Sequence, residues 1–168
     1  MTLNKGTDSL VILGLGSNLG DSSLIICNAI TVLKERLTEL KMASLYETAP
    51  LHVTDQNQFI NTAVSGLYSG TPGELLHYIN YVEARFGRDR EKGRRWGERL
   101  LDIDILLFGD KIVNEYDLVI PHAMLKDRRF ALEPLLELLP DAIDPVSGLA
   151  YSQICQVLPD QGVKQLSK

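Results

Sequence analysis

The sequence predicts an α+β domain with a ferredoxin-like βαββαβ core, in which helices pack on an antiparallel sheet. Short apolar runs and segments of helical periodicity follow one another in that order. The 168 residues suit a single domain, residues 1–168, and the 45% hydrophobic and 23% charged content is ordinary for a globular protein. The polar ends, residues 1–8 and 160–168, are expected to be flexible.

The first half of the chain predicts a strand, a helix and two further strands. Residues 10–15 (LVILGL) form an apolar run typical of a buried strand. A Gly-Ser-Asn turn follows, and Asp21 or Ser22 would cap a helix that runs to about Leu37. Residues 42–48 and 59–67 are predicted strands joined by a long loop.

The second half begins with a clearly marked helix. Residues 71–74 (TPGE) form a capping box with proline at the first helical position, and Gly87 ends the helix. A strand carrying two aspartates comes next. From Lys111 the pattern predicts a hairpin-like segment, a helix over residues 131–138 with Pro134 in its first turn, and a short helix over residues 151–158.

The aspartates at positions 102 and 104 are the most informative feature of the sequence. Side chains two residues apart in a strand share a face, so these carboxylates would stand about 6–7 Å apart. At that spacing they repel by roughly 2–3 kcal/mol at an effective dielectric constant of about 20. A cation is therefore expected between Asp102 and Asp104, and Mg²⁺ suits such a pair. The alternative is that both are exposed at a strand end and paired with neighbouring arginines.

The same alternation assigns the apolar residues around the aspartates. Leu106 and Phe108 are predicted to continue the carboxylate face, which would then be partly covered. The opposite, core-facing side is predicted to consist of Leu101, Ile103, Ile105 and Leu107.

The loop before this strand concentrates positive charge in an acidic chain. Between positions 88 and 99 there are six basic and three acidic residues, a balance of +3, whereas the whole chain carries −5. A protein that coats nucleic acid would be basic more broadly, so a local anionic ligand is favoured. Arginines match phosphate oxygens and Trp96 offers a stacking surface, which predicts a polyphosphate ligand with a planar ring.

Other phosphate-binding patterns are weak or absent in the sequence. The glycines at positions 14, 16 and 20 are spaced one residue too widely for the dinucleotide-binding fingerprint, so a tight strand-to-helix turn is the favoured interpretation. No GxxxxGK[ST] loop occurs, so metal and arginine would have to hold any ATP phosphates. His122, with Arg128 and Phe130 close behind it, makes a second phosphate-and-ring constellation plausible.

The sequence also indicates a cellular setting. Cys27 and Cys155 have no metal-binding or redox spacing, and no apolar run approaches the roughly 20 residues that span a bilayer. The polar start lacks the apolar stretch of a signal peptide. A cytoplasmic protein with reduced cysteines and no membrane association is expected.

These residues together resemble the 6-hydroxymethyl-7,8-dihydropterin pyrophosphokinase family of folate biosynthesis. The similarity runs in the family's order from about residue 10 to residue 140, and the block RWGxRxxDxD at 95–104 is its most specific part. The other matching motifs are GSNLG (16–20), YETAP (46–50), FIN (59–61), PH (121–122) and RxF (128–130).

The resemblance implies transfer of the pyrophosphoryl group of ATP to the hydroxymethyl group of a reduced pterin, with release of AMP. Asp102 and Asp104 would hold two Mg²⁺ ions, and the rings of Trp96 and Phe130 would enclose the pterin. Asn61 would read the edge of the pterin, in a pocket lined by Thr48, Leu51 and Phe59. The implied ATP contacts are Glu83, Arg90, Arg95, Arg99, Ile105, His122 and Arg128. The implied catalytic residues are Arg88, Arg90, Arg99 and the two aspartates.

Two other functions stay open on the sequence alone. A nucleotidyltransferase also pairs a Gly-Ser turn with Asp-x-Asp, but it would release pyrophosphate. A ferredoxin-like sheet can also bind RNA, although the aromatic run of such modules is missing here. The interpretation taken forward is a monomeric enzyme that binds ATP and a reduced pterin, with neither nucleic acid nor membrane as a partner.

Overall fold

The computed structural model describes residues 8–49, 57–88 and 99–166. The strands are β1 (Ser9–Ser17), β2 (Thr38–Met42), β3 (Tyr46–Thr48), β4 (Phe59–Tyr68), β5 (Asp102–Phe108), β6 (Val113–Asn114), β7 (Val119–Ile120) and β8 (Lys164–Gln165). The helices are α1 (Ser22–Leu33), α2 (Pro72–Arg85), α3 (Arg129–Leu138) and α4 (Tyr151–Val157), with a 3₁₀ turn at Leu125–Asp127.

The main sheet runs in the order β5-β1-β4-β3-β8, with β2 also paired to β4, and its pairings are antiparallel. Alternate residues of β1 enter two apolar clusters on opposite faces. One cluster joins the sheet to α1 and α2, and the other joins it to α3 and α4. The predicted α+β class with a ferredoxin-like core is confirmed. No helix in the described part of the chain has the length and apolar character needed to cross a membrane.

The predicted caps of the first two helices are confirmed, but the end of α1 is not. Asp21 accepts a hydrogen bond from the Leu24 N–H, and α2 starts with the complete capping box. The regular part of α1 ends at Leu33, four residues before the predicted end, because the N–H groups of Glu35 and Arg36 bond three residues back rather than four. Leu37 is buried at helical spacing, which explains the longer prediction.

The strand predicted over residues 42–48 is two strands separated by a bulge. The register of β2 and β3 against β4 leaves three residues, 43–45, opposite only two, 62–63. A bulged residue loses its place in the hydrogen-bond ladder. The Ser44 N–H instead donates to Oε2 of Glu137, on α3.

A second bulge corrects the predicted faces of β5. β1 and β5 stay in register as far as Ile105, but the next paired residue is Leu107, so Leu106 is an extra residue on β5. Because an extra residue reverses the alternation beyond it, Leu107 packs in the cluster of α3 and Phe108 in the cluster of α1 and α2. The predicted orientations of these last two residues were therefore wrong, whereas Leu106 lies on the carboxylate face as predicted.

The C-terminal part also differs in detail. The β6–β7 hairpin and the short helix α4 are present. Since α3 begins at Arg129, Pro134 is its sixth residue and lies beyond the first turn, contrary to the prediction. The prediction for residues 160–168 contained no strand, yet β8 pairs with β3.

Candidate active site

A cavity opens on the α3 side of the sheet, where the aspartates of β5 meet β1, β3, β4 and the start of α3. It encloses about 970 Å³ of empty space, part of it open to solvent. It brings together residues that are up to 117 positions apart in the sequence, from Gly14 to Ala131. The predicted site residues that line it are Thr48, Phe59, Asn61, Arg99, Asp102, Asp104, His122, Arg128 and Phe130.

Asp102 is engaged by two arginines. Oδ1 accepts a hydrogen bond from Arg88, and Oδ2 accepts one from Arg99, so each carboxylate oxygen faces a guanidinium. These arginines are the last and first described residues on either side of residues 89–98. For Asp102 the structure thus shows the ion pairing that the sequence left as an alternative.

Asp104 has weaker charge compensation. Among the described residues, the Arg128 guanidinium lies 3.7 Å from Oδ2 through Nη1, and the His122 ring lies at the same distance through Nε2. Burial and the negative charge of Asp102 raise the pKa of Asp104 to about 6, and the surrounding arginines only partly oppose them. The site therefore holds two carboxylates side by side although ionisation of the second is disfavoured, and a bound cation would stabilise both negative charges.

The two carboxylates match magnesium in number and in kind. No group of three or more His, Cys, Asp or Glu side chains within residues 8–49, 57–88 and 99–166 could by itself hold a metal. Mg²⁺ is usually bound through one or two carboxylates, with substrate phosphates and water completing its shell. Asp102 and Asp104 therefore fit a metal that arrives with a polyphosphate.

His122 stands beside Asp104 as a neutral imidazole. Burial and the nearby Arg128 lower the pKa of His122 to about 4. Nδ1 accepts a hydrogen bond from the Met124 N–H at 3.2 Å, which leaves the ring proton on Nε2, the atom facing Asp104. His122 can therefore donate a hydrogen bond to an oxygen in the cavity at neutral pH.

The predicted pterin residues form the other end of the cavity. The buried Asn61 donates from Nδ2 to Thr48 Oγ1 at 2.8 Å, across the paired strands β3 and β4. Phe130 is the second residue of α3, and the guanidinium of Arg128 lies 5.8 Å from the centre of its ring. An amide edge and an aromatic ring at one end suit a flat heterocycle with hydrogen-bonding edges.

Glu83 and Ile105 do not line the cavity. Glu83 is 1% exposed, and Oε1 accepts the Ile103 N–H at 2.8 Å and a bond from Arg88. The side chain of Ile105 packs in the core of α1 and α2, on the face opposite Asp104. β5 is at the end of the strand order, and the Ile103 N–H points away from β1, toward the outer edge of the sheet. Main-chain groups two residues apart in a strand point the same way, so the main chain of Ile105 faces this outer edge as well. A nucleotide contact by Ile105 would have to come from this main chain.

Four predicted site residues, Leu51, Arg90, Arg95 and Trp96, lie outside the described residues. Sequence reasoning in turn missed the glycines of β1 that line the cavity. Gly14 is paired with Asp104, and Gly16 is paired with both Asp102 and Asn61. Two glycines within one buried strand signal a close approach by another group, and this signal could have placed them.

The chain matches one family model. The model is that of 7,8-dihydro-6-hydroxymethylpterin-pyrophosphokinase (HPPK), and the match covers residues 12–140, more than half of the chain.

Curated relatives agree with this match. A 2-amino-4-hydroxy-6-hydroxymethyldihydropteridine pyrophosphokinase of Aquifex aeolicus is 40% identical over 136 residues, covering 81% of this chain and 84% of the relative. The protein of the same name from Bacillus subtilis is 38% identical over 133 residues, covering 78% of both chains. A mitochondrial folate synthesis bifunctional protein of Arabidopsis thaliana is 40% identical over 141 residues, but the match spans only 25% of that longer protein.

Solved structures show the same fold. The crystal structure of wild-type Plasmodium falciparum HPPK-DHPS superposes with a TM-score of 0.73, covering 97% of this chain and 49% of that one. The sequences are 15% identical, so this likeness concerns the fold alone.

Proposed function

The chain belongs to the 7,8-dihydro-6-hydroxymethylpterin-pyrophosphokinase family, and we propose that it transfers the diphosphate group of ATP to the hydroxymethyl oxygen of 6-hydroxymethyl-7,8-dihydropterin, releasing AMP. The observation that carries the proposal is one cavity with two ends of different chemistry. Asp102, Asp104 and the arginines form the polyphosphate end. Asn61 and Phe130 form the end for a flat heterocycle.

The polyphosphate end would bind the nucleotide through Asp102 and Asp104. When bound there with ATP, Mg²⁺ would supply positive charge against the phosphate oxygens and polarise them. Arg88 and Arg99 would exchange the oxygens of Asp102 for those of the phosphates, because a metal at Asp102 competes with the guanidinium groups. His122 and Arg128, which flank Asp104, would donate to the same phosphates.

The other end would orient the acceptor. Asn61 would offer its amide to the hydrogen-bonding edge of the pterin while Thr48 holds that amide in place. Phe130 would stack on the pterin ring, and Phe59 would close the pocket. Such positioning aligns the hydroxymethyl oxygen with the β-phosphorus, and alignment of reactants contributes much of the rate in transfers of this kind.

The proposal extends to further residues and to properties of the whole protein. Trp96 and Leu51 would complete the pterin pocket, and Arg90 and Arg95 would contact the phosphates. Glu83 would act indirectly, by holding Arg88 and the start of β5 in place. Ile105 would contact ATP through its main chain. We propose two bound Mg²⁺ ions, a monomeric state, a cytoplasmic location, a single domain, and no nucleic acid or membrane partner.

The curated relatives include much longer proteins, of which this chain spans 22–31%.

Product analysis tests the proposal. The protein is incubated with Mg·ATP and 6-hydroxymethyl-7,8-dihydropterin, and the nucleotides and pterins are separated by chromatography. We expect one AMP and one pterin diphosphate per ATP consumed, and no turnover in EDTA. ADP would indicate transfer of one phosphate, and pyrophosphate with an adenylated pterin would indicate a nucleotidyltransferase. Either outcome would refute the proposal.

A further inference from the structure

The carboxylate of Glu137, on α3, joins that helix to the bulge between β2 and β3. Oε2 accepts hydrogen bonds from the Ser44 N–H at 2.9 Å and from the Tyr46 hydroxyl at 3.0 Å. Oε1 accepts one from the Ser44 hydroxyl at 2.8 Å. Burial and the bond to Glu137 raise the pKa of Tyr46, so its hydroxyl remains protonated and a donor. One side chain thus binds three donors of a neighbouring segment.

The bulge depends on side chains for its main-chain hydrogen bonds. Because three residues stand opposite two of β4, Ser44 cannot use the sheet ladder in the regular way. Glu137 takes its N–H, and the Thr62 hydroxyl donates to its carbonyl oxygen at 3.0 Å. The conformation that leads from β2 into β3 is therefore held from α3 and β4.

The hydrogen bonds of Glu137 join the two sides of the proposed acceptor pocket, which are α3 and the strands β3 and β4. Tyr46 is two residues before Thr48 in β3, so their side chains share a face, and Tyr46 is paired with Asn61 in β4. Glu137 is seven residues after Phe130 in α3, which is two helical turns or roughly 10 Å along the same side of the helix. Fixing Glu137 to Tyr46 sets the helix that carries the ring against the strands that carry the amide.

We propose that Glu137 is a positioning residue for the acceptor end of the cavity, holding Phe130 on α3 in register with Thr48 and Asn61 on β3 and β4. This inference rests on the proposed function, since it concerns the pterin rather than the nucleotide. It does not make Glu137 a catalytic residue, because Glu137 contacts the strand and not the cavity. Its loss should weaken pterin binding more than nucleotide binding, because Asp102, Asp104 and His122 lie outside α3, and Arg128 only precedes its first residue.

Ligand binding to matched variants tests the inference. The Kd of 6-hydroxymethylpterin, which keeps the acceptor hydroxymethyl group on an oxidised ring, is measured by calorimetry with Mg²⁺ and α,β-methylene-ATP present. The Kd of Mg·α,β-methylene-ATP is measured separately. The variants are Glu137→Ala, Glu137→Gln and Tyr46→Phe. The control is Glu133→Ala, which removes an ion pair with Arg129 on the same helix and leaves the three hydrogen bonds to Glu137 in place.

Loss of hydrogen bonds to a charged group should raise the pterin Kd of Glu137→Ala about tenfold and leave the nucleotide Kd within about twofold. Glu137→Gln, which keeps an acceptor oxygen, should recover most of the affinity. Tyr46→Phe should lose a few-fold. In turnover, the pterin KM should rise while kcat stays within about twofold. Glu133→Ala should bind pterin like the wild type, even if its melting temperature falls.

Two results would overturn the inference. One is an unchanged pterin Kd in Glu137→Ala and Tyr46→Phe, and the other is an equal loss of affinity for both ligands. If Glu137→Ala does not fold, Glu137→Gln and Tyr46→Phe decide the question by the same comparison. Failure of the proposed function is distinguishable, because it would appear as absent pterin binding in the wild-type protein.

Discussion

Replacing Asp104 with asparagine should stabilise the metal-free protein. Burial and the charge of Asp102 raise the pKa of Asp104 from 3.8 to about 6. A shift of about two units corresponds to roughly 3 kcal/mol by linkage. Because the side chain is 39% exposed, solvent screening reduces this to about 1–2 kcal/mol. The neutral, nearly isosteric amide of Asp104→Asn avoids that cost while keeping the shape of the side chain.

The sign of the pH dependence makes this prediction specific. A carboxyl whose pKa is higher in the folded state contributes stability below its unfolded pKa and loses it as the pH rises through the folded value. The advantage of Asp104→Asn should therefore grow between about pH 4 and about pH 6 and stay constant above that. Urea unfolding in EDTA across this range measures it, with the exposed Asp117→Asn as control.

An equal or lower stability of Asp104→Asn at about pH 8 would refute the reasoning, as would a gain that does not change with pH. The same variant should lose nearly all turnover with Mg·ATP, since a proposed metal ligand is removed. Greater stability combined with lost activity would mark Asp104 as a functional residue whose charge the fold tolerates. A parallel loss of folding and activity would instead favour a structural role.

Three further predictions concern other parts of the site. In Gly16→Ala the added Cβ would lie 3.0 Å from Asn61 Oδ1, so calorimetry should show several-fold weaker pterin binding with nucleotide binding retained. The lowered pKa of His122, about 4, predicts a neutral ring at pH 7, and NMR titration should show its proton on Nε2 at that pH. The stability that the neutral ring contributes to the folded protein should be lost as the pH falls from about 6.5 toward 4. An imidazolium at pH 7 would contradict this. Glu83→Ala removes the buried acceptor that the Ile103 N–H and Arg88 share. Urea unfolding should therefore show a loss of about 3 kcal/mol in the free energy of unfolding. An unchanged free energy of unfolding would contradict the structural role of Glu83.

Local patterns predicted the elements of the fold well. The capping box of α2 and the alternation around Asp102 depend on residues close in sequence, whose effects are visible without tertiary information. The pairing of the two aspartates on one face followed from strand geometry alone. The family resemblance then supplied the identities of the two proposed substrates, which charge and spacing could not.

Long-range features were not accessible in the same way. The bulges at Leu106 and at residues 43–45 are defined only by a partner strand, so strict alternation gave the wrong faces for Leu107 and Phe108. The role of Glu137 depends on contacts 91 and 93 residues away in sequence. The pairing of Asp102 with Arg88 and Arg99 likewise requires the ends of the loop to meet at the strand.

A crystal structure with Mn²⁺, α,β-methylene-ATP and 6-hydroxymethylpterin tests the central claim most directly. The analogue blocks cleavage of the bond that the proposed reaction breaks, and manganese gives an anomalous signal. We expect anomalous peaks within about 2.2 Å of carboxylate oxygens of both Asp102 and Asp104, with the pterin against Phe130 and its amide edge facing Asn61. Metal bound away from the aspartates, or pterin bound outside this cavity, would contradict the account.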